Sequence, residues 1–162
     1  MLLVSNGCSH TSGAELEHPQ QGECYNKAWP RHLADSLGLN HINISMAGAS
    51  NARVLRTTYE FIYDYKKQGK DFKQLLFVIL WPGLYRTEIY CDKDYLHAHD
   101  NNWTPIVVGN DACYKEFFSH SLYHYYKAWS VISTPYQSSC DFYQTILNLQ
   151  NLFNRYNIIV GS

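Results

Sequence analysis

The sequence has no long hydrophobic run, and its longest apolar stretch covers only residues 75–81. A helix needs roughly 18 apolar residues to span a bilayer, so no membrane-spanning segment is predicted. The apolar residues at positions 2–4 are few and no basic residue precedes them, which argues against a signal peptide there. We therefore expect a cytoplasmic protein that has no membrane partner.

Charged residues are also scarce, at 17% of the chain, and the formal net charge is −1. This balance argues against a dedicated nucleic-acid binder and against a basic membrane-surface module. The cysteines are odd in number and lack Cys-x-x-Cys spacing, so neither a disulfide framework nor a zinc site is predicted. They are Cys8, Cys24, Cys91, Cys113 and Cys140. We expect no metal and no cofactor.

Hydrophobic residues make up 46% of the 162 positions, which is enough for one folded domain with a substantial core. Apolar runs and alternations predict strands, and apolar residues three and four positions apart predict helices between them. The strands are expected over residues 2–6, 41–46, 75–81 and 157–160, and the helices over residues 29–37, 54–65 and 142–153. This alternation is typical of a parallel sheet covered on both faces, a three-layer α/β/α fold.

Two stretches fit this alternation poorly. Residues 9–27 resemble a polar loop, and residues from about 85 to 139 form a long excursion that holds most of the 14 tyrosines. Within the excursion we expect a helix around residues 114–131. His120 and His124 would share a face of that helix, a spacing that suits a metal, but without an evident third ligand a packing or surface role is favoured.

Small, hydroxyl and amide residues follow each of the first three predicted strands. They occupy residues 7–11, 48–51 and 81–88. Ligands of parallel α/β sheets bind at the carboxyl ends of the strands, so we expect these three loops to form one site. Each loop alone has a structural explanation as well, since Ser50 or Asn51 would be an ordinary helix N-cap.

The first two loops resemble the conserved blocks of SGNH (GDSL-type) hydrolases. Asn-Gly-Cys-Ser-His-Thr at residues 6–11 is similar to the first block, and Ala-Gly-Ala-Ser-Asn at residues 47–51 is similar to the second. The segments GCSHTSGAE, KAWP and AGASN and the spacing Trp-x4-Arg-x-Glu resemble uncharacterised SGNH-like proteins of phages and environmental bacteria. The resemblance covers nearly the whole chain in order.

The resemblance implies a flavodoxin-like sheet and a serine ester hydrolase that acts on a small-molecule or glycan ester, such as an acetylated carbohydrate. Ser9 would be the nucleophile, and the Gly48 N–H would bind the oxyanion with help from Asn51. His10, Ser50, Trp81, Arg86 and Glu88 would line the pocket. Arg86 and Glu88 would otherwise pair with each other or with loop backbone, and Trp81 would otherwise pack in the core.

Two departures from the family pattern bear on activity. The third block of the family is Gly-x-Asn-Asp, whereas this chain has Trp81, Pro82 and Gly83 there, so Asn51 or Arg86 would have to replace the missing amide. The family's base is the histidine of an Asp-x-x-His motif after the last strand. This chain ends at Ser162, so we expect the last strand, the last helix and that motif to be missing. Asp94 and His97 match the motif literally but follow the third strand.

We therefore expect a single SGNH-like domain over residues 1–162 that is weak or inactive as an esterase. The alternative is a non-catalytic binding or structural protein of the same fold, associated with a phage and found in the host cell or virion. The fourth strand would leave an open sheet edge, which we expect to pair with a second copy or another partner.

Overall fold

A computed structural model of the chain describes residues 1–14, 16, 21–90, 102–109 and 111–161. Its strands are β1 (Leu2–Gly7), β2 (Asn40–Asn43), β3 (Leu75–Leu80), β4 (Arg86–Tyr90), β5 (Trp103–Val107) and β6 (Ile159–Gly161). Its helices are α1 (Ser9–Ser12), α2 (Gln21–Lys27), α3 (Trp29–Ser36), α4 (Asn51–Lys67), α5 (Asp111–Phe117), α6 (His120–Ile132) and α7 (Pro135–Tyr156), and a 3₁₀ turn spans Phe72–Gln74.

Four strands form one parallel sheet in the order β2-β1-β3-β6. Leu2 lies opposite both Asn40 and Leu75, and Leu76 lies opposite Ile159. The predicted α/β class with a parallel sheet is confirmed. The strand order reverses between β1 and β3, and in open α/β sheets the crevice at such a reversal is where ligands bind.

The main core lies between the sheet and helices α4 and α7. Phe77 of β3 is fully buried and packs edge-on against Phe61, and it also contacts Phe153 of α7. Val54 and Leu149 complete the same cluster from α4 and α7. On the other face α3 packs against β2, and all residues of β1 from Leu3 onward are buried. A central parallel strand that is covered on both faces has this pattern.

Helix α7 and the segment before α3 differ from the prediction. Helix α7 starts at Pro135, whereas the sequence predicted a start near residue 142. The first two turns were missed because they are mostly exposed and lack the apolar periodicity that predicts a helix. Thr134 caps α7 by accepting from the Gln137 N–H, and Pro135 occupies its first turn, both of which are helix-start signals. The polar loop over residues 9–27 contains the short helices α1 and α2.

The excursion contains an antiparallel pair, β4 and β5, that was not predicted. Arg86 lies opposite Val107 and Tyr90 lies opposite Trp103. The predicted helix of this region is divided into α5 and α6. Within the described residues, no helix combines the length and the apolar character that crossing a membrane requires.

Candidate active site

Ser9 begins α1 directly after β1 ends at Gly7. The Cys8 carbonyl accepts from the N–H groups of Thr11 and Ser12 at 2.9 and 3.0 Å, so the chain passes from strand to helix within one residue. This turn leaves the half-buried Ser9 at the carboxyl edge of the sheet. Neither its hydroxyl nor its N–H is hydrogen-bonded to any residue that the structure describes.

The loop that holds Gly48 lies beside this junction. After β2 the Ile44 N–H donates to Ser5 at 2.9 Å and the Met46 N–H donates to Gly7 at 3.3 Å, so the loop continues along β1 to its end. The Gly48 N–H donates to no acceptor among the described residues. Two unengaged amides, those of Ser9 and Gly48, therefore belong to loops joined by the hydrogen bond between Met46 and Gly7.

Gly48 lies beside Pro105 of the excursion. Its φ is +76°, which L side chains rarely adopt, and a Cβ built on it would lie 3.5 Å from Pro105 Cγ. Strand β5 thus covers the second loop. Sequence reasoning missed this contact, because nothing local to Pro105 indicates where the hairpin lies.

Side chains behind the two loops hold them together. Asn43 donates from Nδ2 to the Thr11 carbonyl at 2.8 Å, and its Oδ1 accepts from both the N–H and the hydroxyl of Ser45. Tyr25 donates to the Ser45 carbonyl at 3.2 Å. The only sequence signal for this network was a polar residue at the end of a strand.

Asn6 fixes the end of β1 against α4. Its Nδ2 lies 2.9 Å from Thr57 Oγ1, 3.1 Å from Thr58 Oγ1 and 3.2 Å from the Val54 carbonyl, while its Oδ1 accepts from the Gly7 N–H at 2.8 Å. Asn6 is fully buried, so these bonds replace those it would make to water. In the segment 6–11, Asn6 therefore has a structural role and precedes the candidate nucleophile Ser9.

Asn51 and Arg86 line one cavity of about 100 Å³, bounded by the start of α4, the start of β4, the end of α6 and the first turns of α7. Asn51 is 8% exposed, and its buried Oδ1 has no hydrogen-bond partner among the described residues. Arg86 forms no ion pair or hydrogen bond with any described residue. Ser9 and Gly48 are not among the residues that line this cavity.

Two predicted pocket residues have structural roles instead. Ser50 is fully buried and caps α4 by accepting from the Arg53 N–H at 3.1 Å, which is the alternative explanation given for it above. Glu88 pairs with Arg56 of α4 rather than with Arg86, at 2.9 Å and 3.0 Å, and its side chain is 5% exposed. This ion pair joins α4 to β4, and the spacing of apolar residues in the sequence does not predict it.

Trp81 packs against α7. Its ring meets Phe142 of α7 edge-on, with centroids 5.5 Å apart. It lines a second cavity of about 440 Å³ with residues of β3, α7 and β6, among them Leu149 and Phe153. The core-packing alternative for Trp81 therefore agrees with the structure.

No described histidine is hydrogen-bonded to the Ser9 hydroxyl. His10 is exposed, and Asp94 and His97 lie outside the described residues. His120 and His124 share one face of α6 as predicted, with their Nε2 atoms 3.0 Å apart. Within the described ranges, no group of three or more His, Cys, Asp or Glu side chains is arranged to hold a metal.

A different serine–histidine pair lies within the sheet. Ser5 Oγ and His41 Nε2 are 2.9 Å apart, on neighbouring strands. Burial, and to a lesser degree the Arg31 charge, lower the pKa of His41, although Asp35 acts in the opposite direction. Ser5 is fully buried and lies within β1, so we assign the pair a structural role.

The comparisons with known proteins find one family. The model of a family of unknown function (DUF6071) matches residues 15–126, which is more than half of the chain. No curated protein and no solved structure matches the chain.

Proposed function

The chain belongs to the family of unknown function DUF6071, and we propose that it is an SGNH-like serine hydrolase scaffold with Ser9 as its nucleophile. The substrate class would be an ester of a small molecule or glycan, such as an acetylated carbohydrate. The proposed fold is correspondingly flavodoxin-like, and the strand order β2-β1-β3-β6 is compatible with it. The substrate class depends on the resemblance of residues 6–11 and 47–51 alone.

One observation carries the proposal: Ser9 and Gly48 offer unengaged N–H groups from neighbouring loops at the carboxyl edge of the sheet. In acyl transfer, a serine oxygen adds to the carbonyl carbon and the carbonyl oxygen becomes an oxyanion. Fixed N–H donors stabilise that charge, and each such donor typically contributes about 10²–10³ in rate. Asn51 lines the Arg86 cavity, which neither Ser9 nor Gly48 lines.

Among the residues that the structure describes, no base is hydrogen-bonded to the Ser9 hydroxyl. A serine hydroxyl is a weak nucleophile until a neighbouring group removes that proton, and a positioned base typically contributes about 10²–10⁴ in rate. Because no described imidazole is hydrogen-bonded to Ser9, we expect turnover close to background. Added imidazole should partly replace the base.

The test is labelling by a fluorophosphonate, which bonds to activated serines, followed in intact protein by mass spectrometry at increasing imidazole concentration. We expect slow labelling that imidazole accelerates, mapped to Ser9 and lost in Ser9→Ala. Ser36→Ala is the matched control, since Ser36 is an exposed helical serine whose hydroxyl donates to the Leu33 carbonyl. Labelling that is absent, or that is equal in wild type and Ser9→Ala, would contradict the proposal.

The second candidate is a non-catalytic binding protein of the same fold. The absence of an imidazole partner for Ser9 among the described residues favours it. This candidate predicts no imidazole-dependent label at all, so the same experiment separates the two.

The edge of the sheet and the cysteines support two finer proposals. Among the described strands, only β3 pairs with β6, and Ile159 and Val160 are exposed, so we propose that a strand of a second copy or another partner covers the β6 edge. Cys8, Cys24 and Cys140 form no disulfides, which fits the reducing cytoplasm proposed as the location.

A further inference from the structure

Helix α7 has two different exposed sides, and one of them carries large apolar residues. Tyr136, Tyr143 and Leu147 are 79%, 64% and 58% exposed, and their spacing of seven and four positions places them on one side of the helix. Gln150 and Asn154, three and seven positions after Leu147, continue that side and are also exposed. We call these five residues the α7 stripe. The other exposed residues of α7 from position 137 onward lie on a different side and are all polar or charged, namely Gln137, Asp141, Gln144, Asn148, Asn151 and Arg155.

The α7 stripe continues to the edge of the sheet. Gln150 and Asn154 line the cavity of about 440 Å³ beside Trp81, and Val160 of β6 lines the same cavity. Ile159 and Val160 are exposed, and among the described strands only β3 pairs with β6. The α7 stripe, the cavity and the β6 edge therefore form one continuous surface, which we call the α7–β6 surface.

We infer that the α7–β6 surface is the interface of a homodimer, in which a second copy related by a two-fold axis packs its own α7 and β6 there. The inference rests on the proposal for the β6 edge made above and names its occupant, but it does not depend on the hydrolase chemistry. A two-fold axis perpendicular to the sheet beside β6 makes the two β6 strands antiparallel neighbours. It also brings the two α7 helices together on the same face of the joined sheet.

The distribution of charge favours a second copy over an unrelated partner. Across a two-fold axis each residue near the axis faces its own copy, so a charge at that place would repel itself. Asp141 and Arg155 are the only charged residues of α7, and both lie on its other exposed side. Neither the α7 stripe nor the residues that line the cavity carry a charge, so they offer nothing to a partner recognised by ion pairs.

The size of the surface approaches what a stable dimer needs. Its five most exposed apolar side chains present on the order of 600 Å² of accessible surface, against the roughly 800 Å² that each partner buries in a standard-size interface. The amide side chains of the α7 stripe and the walls of the cavity add to this area. These five side chains are Tyr136, Tyr143, Leu147, Ile159 and Val160.

The test is the oligomeric state of the 162-residue chain, measured by sedimentation equilibrium. Wild type should dimerise at micromolar concentration. Leu147→Glu should weaken the dimer at least tenfold, because it places a charge in the α7 stripe opposite the same charge of the second copy. Gln144→Glu adds the same charge on the polar side of α7 and is the matched control, which should dimerise as wild type does. Thermal unfolding of each variant verifies that it is folded.

Mixing two variants tests the two-fold symmetry. Leu147→Lys alone should also dissociate, whereas an equimolar mixture of Leu147→Glu and Leu147→Lys should associate, because opposite charges then meet. In wild type, amide hydrogen exchange of β6 should slow as the protein concentration rises through the dimer Kd.

Four outcomes would overturn the inference: a monomeric wild type, which would leave the surface to a different protein, a dimer that Leu147→Glu does not weaken, a mixture that stays dissociated, or unchanged exchange in β6. Labelling of Ser9 tests the hydrolase proposal separately, so failure of one proposal can be told from failure of the other.

Discussion

The ion pair between Arg56 and Glu88 should make a large contribution to stability, because Glu88 is almost completely buried. Two bonds of 2.9 and 3.0 Å join the guanidinium to the carboxylate, and the guanidinium also lies 4.6 Å from the centroid of the Trp103 ring. Removing one member of a buried pair leaves the other charged and unpaired, which typically costs about 3–5 kcal/mol. The exposed bond from Arg56 to Glu60 should add little.

The perturbation is a double-mutant cycle of Arg56→Met, Glu88→Met and both together, measured by urea unfolding. We expect Arg56→Met to lower the free energy of unfolding by about 3 kcal/mol or more, and the double variant to recover most of that loss, since two apolar side chains fill the same space without a stranded charge. Glu60→Gln is the control and should change the value by less than about 0.5 kcal/mol.

The cycle also tests whether this pair holds the β4–β5 hairpin over the second loop. In Arg56→Met, amide hydrogen exchange should accelerate in β4, β5 and around Gly48, because Pro105 of β5 contacts that glycine. A loss below about 1 kcal/mol in Arg56→Met, or a double variant as unstable as the sum of the singles, would refute the reasoning.

Two further predictions concern pH and backbone strain. The pKa of His41 is lowered in the folded state, so below about pH 6.5 the unfolded chain binds a proton before the native protein does and stability falls with decreasing pH until the native pKa is reached. His41→Gln should flatten that part of the stability curve relative to wild type, and parallel curves would contradict this. Gly48→Ala should cost about 1–2 kcal/mol from its positive φ alone, whereas Gly48→Leu should cost more because it also pushes against Pro105. Equal unfolding midpoints for the two variants would argue against the Pro105 contact.

The elements with strong local patterns were predictable from sequence. The continuous apolar run of β3 and the periodic face of α4 appear where they were expected, because each buries one stripe or strand against the core. The first turns of α7 were not predicted, because capping residues rather than apolar periodicity specify them. The β4–β5 hairpin was not predicted, because tertiary contacts such as the Arg56–Glu88 ion pair stabilise it.

The candidate site was predictable to a similar degree. The positions of the Ser9 and Gly48 loops after β1 and β2 predicted that the loops are neighbours, because neighbouring parallel strands end at the same edge of a sheet. It did not separate Asn51 from that pair, because the direction of a side chain at a helix start depends on what packs above it. The sequence also did not indicate that Arg86 lines a cavity whereas Glu88, two residues later on β4, pairs with Arg56. These surroundings depend on which elements pack against β4.

The central position of β1 has a consequence for synthesis of the chain on the ribosome. β1 is almost entirely buried, and it pairs with β3, whose register partner for Leu2 is Leu75, 73 positions later. At a translation rate of about 5–20 residues per second, β3 emerges roughly 4–15 s after β1. During that interval β1, whose first three residues are apolar, can pair at most with the short β2, so its open edge favours protection by a chaperone or by early packing of α4.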